Sequence, residues 1–247
     1  MSTPQARSAI KFDLFADAAR KRKIETLGDP LQIITRHIDF AHLARVVDQL
    51  LPRGDTSKGG RPPYPTEVMV RILVLKHLYN LSDEQAEYQL LDRMSYQRFC
   101  LLTDSANIPD RNTIWHYQQR LGADGAAALF QALDGQLLRH GYLARCGQII
   151  DATLVPAPIQ HFTKADKEQL GQGNIPSDWS EAKCRQKDLD ATHTKKHGKG
   201  YHGYKLSISV DVRHKFIRCI TTGTASEHDS THFDDVLDEH NTNRDVY

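Results

Sequence analysis

The chain has 247 residues, 39% hydrophobic, 26% charged and 8% aromatic, which is the composition of a folded globular protein with room for one large core or two smaller ones. Fifteen Gly and ten Pro exclude collagen-like and wholly disordered classes. No apolar run reaches the roughly 18 residues of a membrane-spanning helix, and the first ten residues lack the apolar centre of a signal peptide, so a cytoplasmic protein is expected.

In chain order, the first 142 residues read as helical. A basic cluster, Arg20-Lys21-Arg22-Lys23, reads either as a solvated face or as an interaction patch. Residues 53–65 (RGDTSKGGRPPYP) read as a loop. Thr66 is expected to cap a helix whose Val68, Ile72, Leu75 and Tyr79, beside Met69 and Leu73, recur at helical spacing. Ser82 and Gln85 have the spacing of a capping box opening a second helix through Leu90. Asp110 can cap a third, with Ile114, Tyr117 and Leu121 on one face. A fourth carries Ala126, Phe130, Leu133 and Leu137 and stops at Gly141. The second and third helices can be read as a helix-turn-helix-like pair with Arg111, Asn112 and His116 reaching a DNA groove, or as plain helical packing. The stretch between them exceeds the usual three- or four-residue turn.

After Gly147 the period changes. Residues 148–155 (QIIDATLV) form a β-rich run closed by Pro156 and Pro158. Residues 157–201 are polar and without periodicity, as in an insertion. Leu206, Ile208 and Val210 then alternate with Ser207, Ser209 and Asp211, the pattern of a half-buried strand, and 212–215 turn into a second strand over 216–222. Residues 226–240 read as a helix with Ser230 as its cap and Phe233, Val236 and Leu237 as its apolar side. Asp245-Val246-Tyr247 could open another strand. The expected organisation is a helical and basic region over 1–59, a helical domain over 60–145, and an α+β domain over 146–247 carrying the polar insertion.

The formal net charge of +1 hides a segregation: residues 183–215 carry nine Lys/Arg against three Asp, and residues 216–247 carry two Arg against seven Asp/Glu. Lys195-Lys196-His197-Gly198-Lys199 reads as a strip for sequence-independent phosphate contacts. His193, His197 and His202 with Cys184 admit a zinc reading, but no second cysteine lies near. The four cysteines are scattered without a Cys-x-x-Cys, so reduced thiols are expected. Asp151 is the sharpest single residue. A charge in an apolar strand is costly unless paired or bound to a cation, and a carboxylate fixed on a rigid sheet suits Mg²⁺; a strand-end Asp bonded to neighbouring backbone is the alternative. Asp211 can pair with Arg213 or Lys215, and Asp229 can cap the last helix. No phosphate-binding Gly-rich loop, Gly-x-Ser-x-Gly elbow or His-Glu-x-x-His run is present.

Several of these segments together resemble a known family. Residues 60–65 (GRPPYP) leading into 69–73 (MVRIL), 79–83 (YNLSD) and 108–114 (IPDRNTI) look like the N-terminal domain of IS5-type insertion-sequence transposases. Residues 151–158 (DATLVPAP), 194–198 (TKKHG), 202–205 (HGYK), 210–211 (VD) and 225–229 (ASEHD) are similar, in order, to their catalytic domain. The resemblance implies a helical DNA-binding-type domain followed by an RNase H-like domain with a mixed sheet, and a DDE mechanism in which three carboxylates hold two Mg²⁺ or Mn²⁺ ions for in-line phosphoryl displacement on DNA. It implies terminal inverted repeats and target DNA as partners, and a homo-oligomer on DNA in a bacterial cytoplasm, at the nucleoid when bound. Asp151 matches the first carboxylate. Lys195, Lys196, Lys199, Lys205, Arg111 and Asn112 are the expected DNA contacts. The family's second Asp and its Glu have no counterpart up to Tyr247, so the chain is expected to be a truncated, catalytically incomplete transposase, with a DNA-binding regulator or an inactive pseudogene product as alternatives.

Overall fold

In the computed structural model, residues 13–52, 59, 62–142, 145–158, 160–172, 174–196, 198–238, 241 and 246 are described. They fall into two compact units, Met1–His140 and Gly141–Tyr247. His197, Asp245 and the 53–58 and 60–61 parts of the expected loop lie outside the described residues.

The first unit is helical: α1 (Ala16–Leu27), α2 (Pro30–His37), α3 (Phe40–Leu50), α4 (Thr66–Leu78), α5 (Asp83–Asp92), α6 (Met94–Phe99) and α7 (Arg111–Arg139). Its core joins α2 to α7 through Leu31, Phe40, Leu43, Val47, Met69, Ile72, Leu90, Phe99 and Ile114. Each such fully buried side chain stabilises by about 1.5–3 kcal/mol relative to exposure. Arg71 lies inside this core because all three of its guanidinium nitrogens donate. Its guanidinium meets Glu67 (2.8 Å), the Phe99 carbonyl (3.0 Å) and Thr35 Oγ1, and its carbon stacks 4.2 Å from the Phe40 ring centre.

The capping box forms as its spacing predicts: Ser82 accepts from the Gln85 amide, and Gln85 accepts in return from the Ser82 amide. Asp110 caps α7 by accepting from Thr113 N–H. Thr66 does not cap α4. Pro65 holds the cap position, and the Thr66 hydroxyl donates to Asp48 on α3, tying the two helices together. The expected third and fourth helices both form: α7 is two helical stretches meeting at Gly122, whose φ of 59° and ψ of −167° break the helical backbone. Gly141 follows its end at φ 85°, as a helix-terminating glycine should. Between α5 and α7 lies α6, which fills the stretch too long for a helix-turn-helix turn.

The second unit is a four-stranded sheet of β1 (Gln148–Pro156), β2 (Thr192–Lys196), β3 (Lys199–Asp211) and β4 (Ile217–Thr224). The long β3 is central: β1 pairs along one side of it, β2 and β4 along the other. All pairings between these strands are antiparallel, which corrects the expected mixed sheet; the one parallel contact among the described residues is an isolated bridge from Gln148 to Val246. The unit is thus α+β.

Two further expectations change here. The region read as a structureless insertion contains α8 (Lys164–Gly171), α9 (Glu181–Gln186) and β2. α8 and α9 meet at Trp179, which stacks on Phe162, donates its indole N–H to Asp166 and lies beneath the Lys183 ammonium. A core of two rings leaves little apolar periodicity to read. The expected 226–240 helix is shorter, a 3₁₀ turn at Asp229–His232 followed by α10 (Phe233–Val236). His228, not Ser230, accepts at its start.

Candidate active face of the C-terminal sheet

Side chains alternate across a strand, and directly paired residues of neighbouring strands share a face. The β1–β3 register pairs Asp151 with Ile208, Ile149 with Val210, Thr153 with Leu206 and Val155 with Tyr204. On β4, Ile220 pairs with Ile208 and Ile217 with Val210. Asp151 therefore stands in a row of aliphatic residues. That face is the open one: Ile149, Val155, Ile217 and Ile220 are 38–45% exposed. Asp151 is exposed, and one carboxylate oxygen accepts the Ala152 amide at 2.8 Å. The strand and this bond fix its orientation, leaving the remaining lone pairs open. Such an acid can hold a hard divalent cation. Among the described residues no three His, Cys, Asp or Glu side chains cluster closely enough to hold a metal on their own. Asp151 would thus supply one protein ligand, which fits an open site completed by other oxygen donors.

The buried face is polar. Ser207, Ser209 and Asp211, read from the sequence as the outward set of β3, are 3%, 0% and 0% exposed. Ser209 donates to Gln148 Oε1, which also accepts the Asp238 amide. Asp211 accepts the amides of Arg213 and His214 and lies 3.7 Å from buried Arg218. The cross-turn partner of Asp211 is thus backbone and Arg218 rather than the Arg213 or Lys215 side chains. Because Asp211 pairs with Gln148 on the face opposite Asp151, it is no companion acid for a metal there.

The His202-Gly203-Tyr204-Lys205 segment ties four parts of this unit together. His202 is buried, its ring 4.3 Å from that of its cross-strand neighbour His193. Gly203 has φ 151°, and a Cβ there would sit 2.1 Å from the Val155 carbonyl oxygen, so only glycine lets β1 end against β3. The Tyr204 hydroxyl donates to Asp188; that bond, with those from the Ala191 and Asp190 amides, holds the Asp188 carboxyl below its ordinary range, and the phenol is pushed up to about 12. Lys205, only 12% exposed in its side chain, donates to the Glu227 carbonyl and pairs with Asp229 at 2.7 Å, which lowers the Asp229 carboxyl. Asp229 is thus an ion-pair partner of the sheet. Beside it, His232 Nε2 lies 2.7 Å from Glu227 Oε2, raising the imidazole and lowering the carboxyl. Gly223 makes the room, since a Cβ there would meet both side chains.

The remaining residues singled out by sequence are dispersed. Lys195, Lys196 and Lys199 stand exposed at the β2–β3 hairpin. Arg111 and Asn112 are exposed on the first turn of α7, where Arg111 lies 3.8 Å from Glu84 and its amide donates to Glu87. His193 and His202 meet, but Cys184 belongs to α9 and no zinc cluster forms among the described residues. Sequence reasoning gave no role to Asp188, Gly203, Tyr204 or Gly223. The signal that marks them is the compact 202–205 segment, in which every residue type is tied to a different neighbour.

An α+β unit with a strand-borne acid on its open face, preceded by a helical unit, is the class of protein defined by these observations. Residues 19–120 match the family model of a transposase domain, DUF772, and residues 142–247 match the transposase DDE domain. Together, in this order, the two matches support a transposase function of the insertion-sequence kind, with DNA as its partner and with the divalent metal ions that DDE domains generally use. No solved structure matches the chain. Among the described residues no helix is long and apolar enough to cross a membrane.

Proposed function

We propose that the chain is an IS5-type transposase whose C-terminal unit is RNase H-like and whose Asp151 is the first carboxylate of the metal site that cleaves and joins DNA. The observation that carries this reading is the place of Asp151: mid-strand on β1, exposed, on the open face of a sheet whose next two strands along that register form an antiparallel hairpin. The parallel bridge from Gln148 to Val246 agrees with it, since a strand beginning there would run beside β1. When bound, a divalent ion supplies Lewis acidity and a nucleophilic oxygen at neutral pH. Asp151 orients that ion, and the sheet denies it geometric slack. Exposed cations at the hairpin, with Arg111 and Asn112 on α7, supply the contacts to DNA phosphates, and a homo-oligomer brings two element ends together.

On this reading the 247-residue polypeptide binds DNA. Gel shifts should show tighter binding to a duplex of the element's terminal inverted repeat than to a scrambled duplex; equal affinity would remove end recognition.

A further inference from the structure

The hairpin lysines do not share a side of the sheet. Register pairs His193 with His202, Lys195 with Gly200 and Lys196 with Lys199. Counting along β3, residues 200, 202, 204 and 208 lie on one face, and residue 208 is the partner of Asp151. Lys195 and His193 therefore stand on the Asp151 face, whereas Lys196, Lys199 and Lys205 stand on the other.

The two sets also differ in what surrounds them. On the far face, Lys205 is consumed by Asp229, whose carboxyl feels Lys205 first and, more weakly, His228 and Lys196. Glu227 and Asp235 add acid around His232 there. Lys205 is thus met by the chain's own acid, and Lys196 adds a weaker pull on the same carboxyl. On the Asp151 face, no described carboxylate lies within ion-pair distance of Lys195, whose cross-strand neighbour Gly200 leaves open space. The Asp188 carboxyl, which feels His202 only weakly, has its charge spread over three donors. His202 itself is buried with neither ring nitrogen bonded, and its ring backs His193.

We infer that Lys195, with His193 beside it, is the phosphate contact on the reacting side of the sheet, and that Lys196, Lys199 and Lys205 are not. This rests on the transposase reading above and adds to it a path for the DNA. Eight residues of β3 separate the partners of Asp151 and Lys195, about 26 Å at the usual strand rise. A duplex with one phosphate at Asp151 therefore meets Lys195 about eight nucleotide steps away.

The test uses the full 247-residue chain and a 30-base-pair duplex. Lys195→Ala should lower affinity about threefold and reduce the log–log salt slope by about 1, as losing one phosphate contact does. Lys196→Ala and Lys199→Ala should leave the slope unchanged. As a readout that a merely structural role would not move, a photo-crosslinking benzophenone side chain at position 195 should capture the duplex, and one at position 196 should not. Equal slopes for the three alanine variants, or capture at 196 as strong as at 195, would overturn this inference while the transposase reading stands. Failure of the unaltered chain to bind any duplex would overturn both.

Discussion

The two units place their side chains by opposite rules. The helical unit buries Phe40, Met69, Ile72, Leu90 and Phe99 and admits one guanidinium, each of whose nitrogens donates to a neighbour. The sheet unit buries Ser207, Ser209, Asp211, Gln148 and Arg218 and leaves Ile149, Ile217 and Ile220 in the open. The first arrangement is stabilised by removing apolar area from water. The second depends on a hydrogen-bond network in which each buried group has few substitutes. The open aliphatic face is also the one that bears Asp151, so the surface left without internal cover is the surface to which the proposed chemistry is assigned.

The largest effect expected from breaking this contrast is at Arg71. Replacing it with Ala strands Glu67, the Phe99 carbonyl and Thr35, and should destabilise the helical unit by about 3–4 kcal/mol. Urea unfolding followed by Trp115 fluorescence, in a Trp179→Phe background, reads that unit alone; a loss below 1 kcal/mol would contradict the role. In the sheet unit, Asp211→Ala should cost about 2–3 kcal/mol by leaving two turn amides without their acceptor and removing the carboxylate beside buried Arg218. Ile220→Thr, although it removes an aliphatic group from a strand, should change stability by less than about 0.5 kcal/mol. Trp179 fluorescence in a Trp115→Phe background measures both, and the reverse ranking would show that the aliphatic face is the buried one.

A pH effect follows from Glu227 and His232. The carboxyl is lowered from 4.5, so its contribution is present above that value and is lost as pH falls through its folded value. The imidazole is raised from 6.5, so its contribution is complete below 6.5 and is lost as pH rises through its folded value. The Glu227–His232 pair should hold the 226–236 segment best between about pH 4.5 and 6.5. Hydrogen-exchange protection there should be higher at pH 5.5 than at pH 8.5, and His232→Gln should abolish that difference. At the helix cap, Ser82→Ala should cost the helical unit about 1 kcal/mol.

How far the sequence reveals the fold depends on which rule operates. The helical unit is legible because its apolar spacing, capping box and helix-ending glycine all report the same burial. In β3 the alternation correctly marks a strand, but its hydrophobic side is not its buried side. Ser209 and Asp211 turn inward where Gln148 and Arg218, distant in sequence, meet them. Asp151 is legible as a charge in an apolar strand. Asp188, Gly203 and Gly223 are not, since their meaning comes from a hydroxyl, a carbonyl and an ion pair brought near only by register.

The most direct test of the account is where a divalent ion settles on the chain. With a duplex present, Mn²⁺ added in an NMR titration should broaden the amides of residues 149–153 and their β3 partners around Ile208 before any others in the sheet, and Asp151→Asn should remove that broadening while leaving duplex binding intact. Broadening centred on Asp188 or on the Glu227–Asp229 loop, or unchanged in Asp151→Asn, would contradict the assignment of Asp151 as the metal-holding acid.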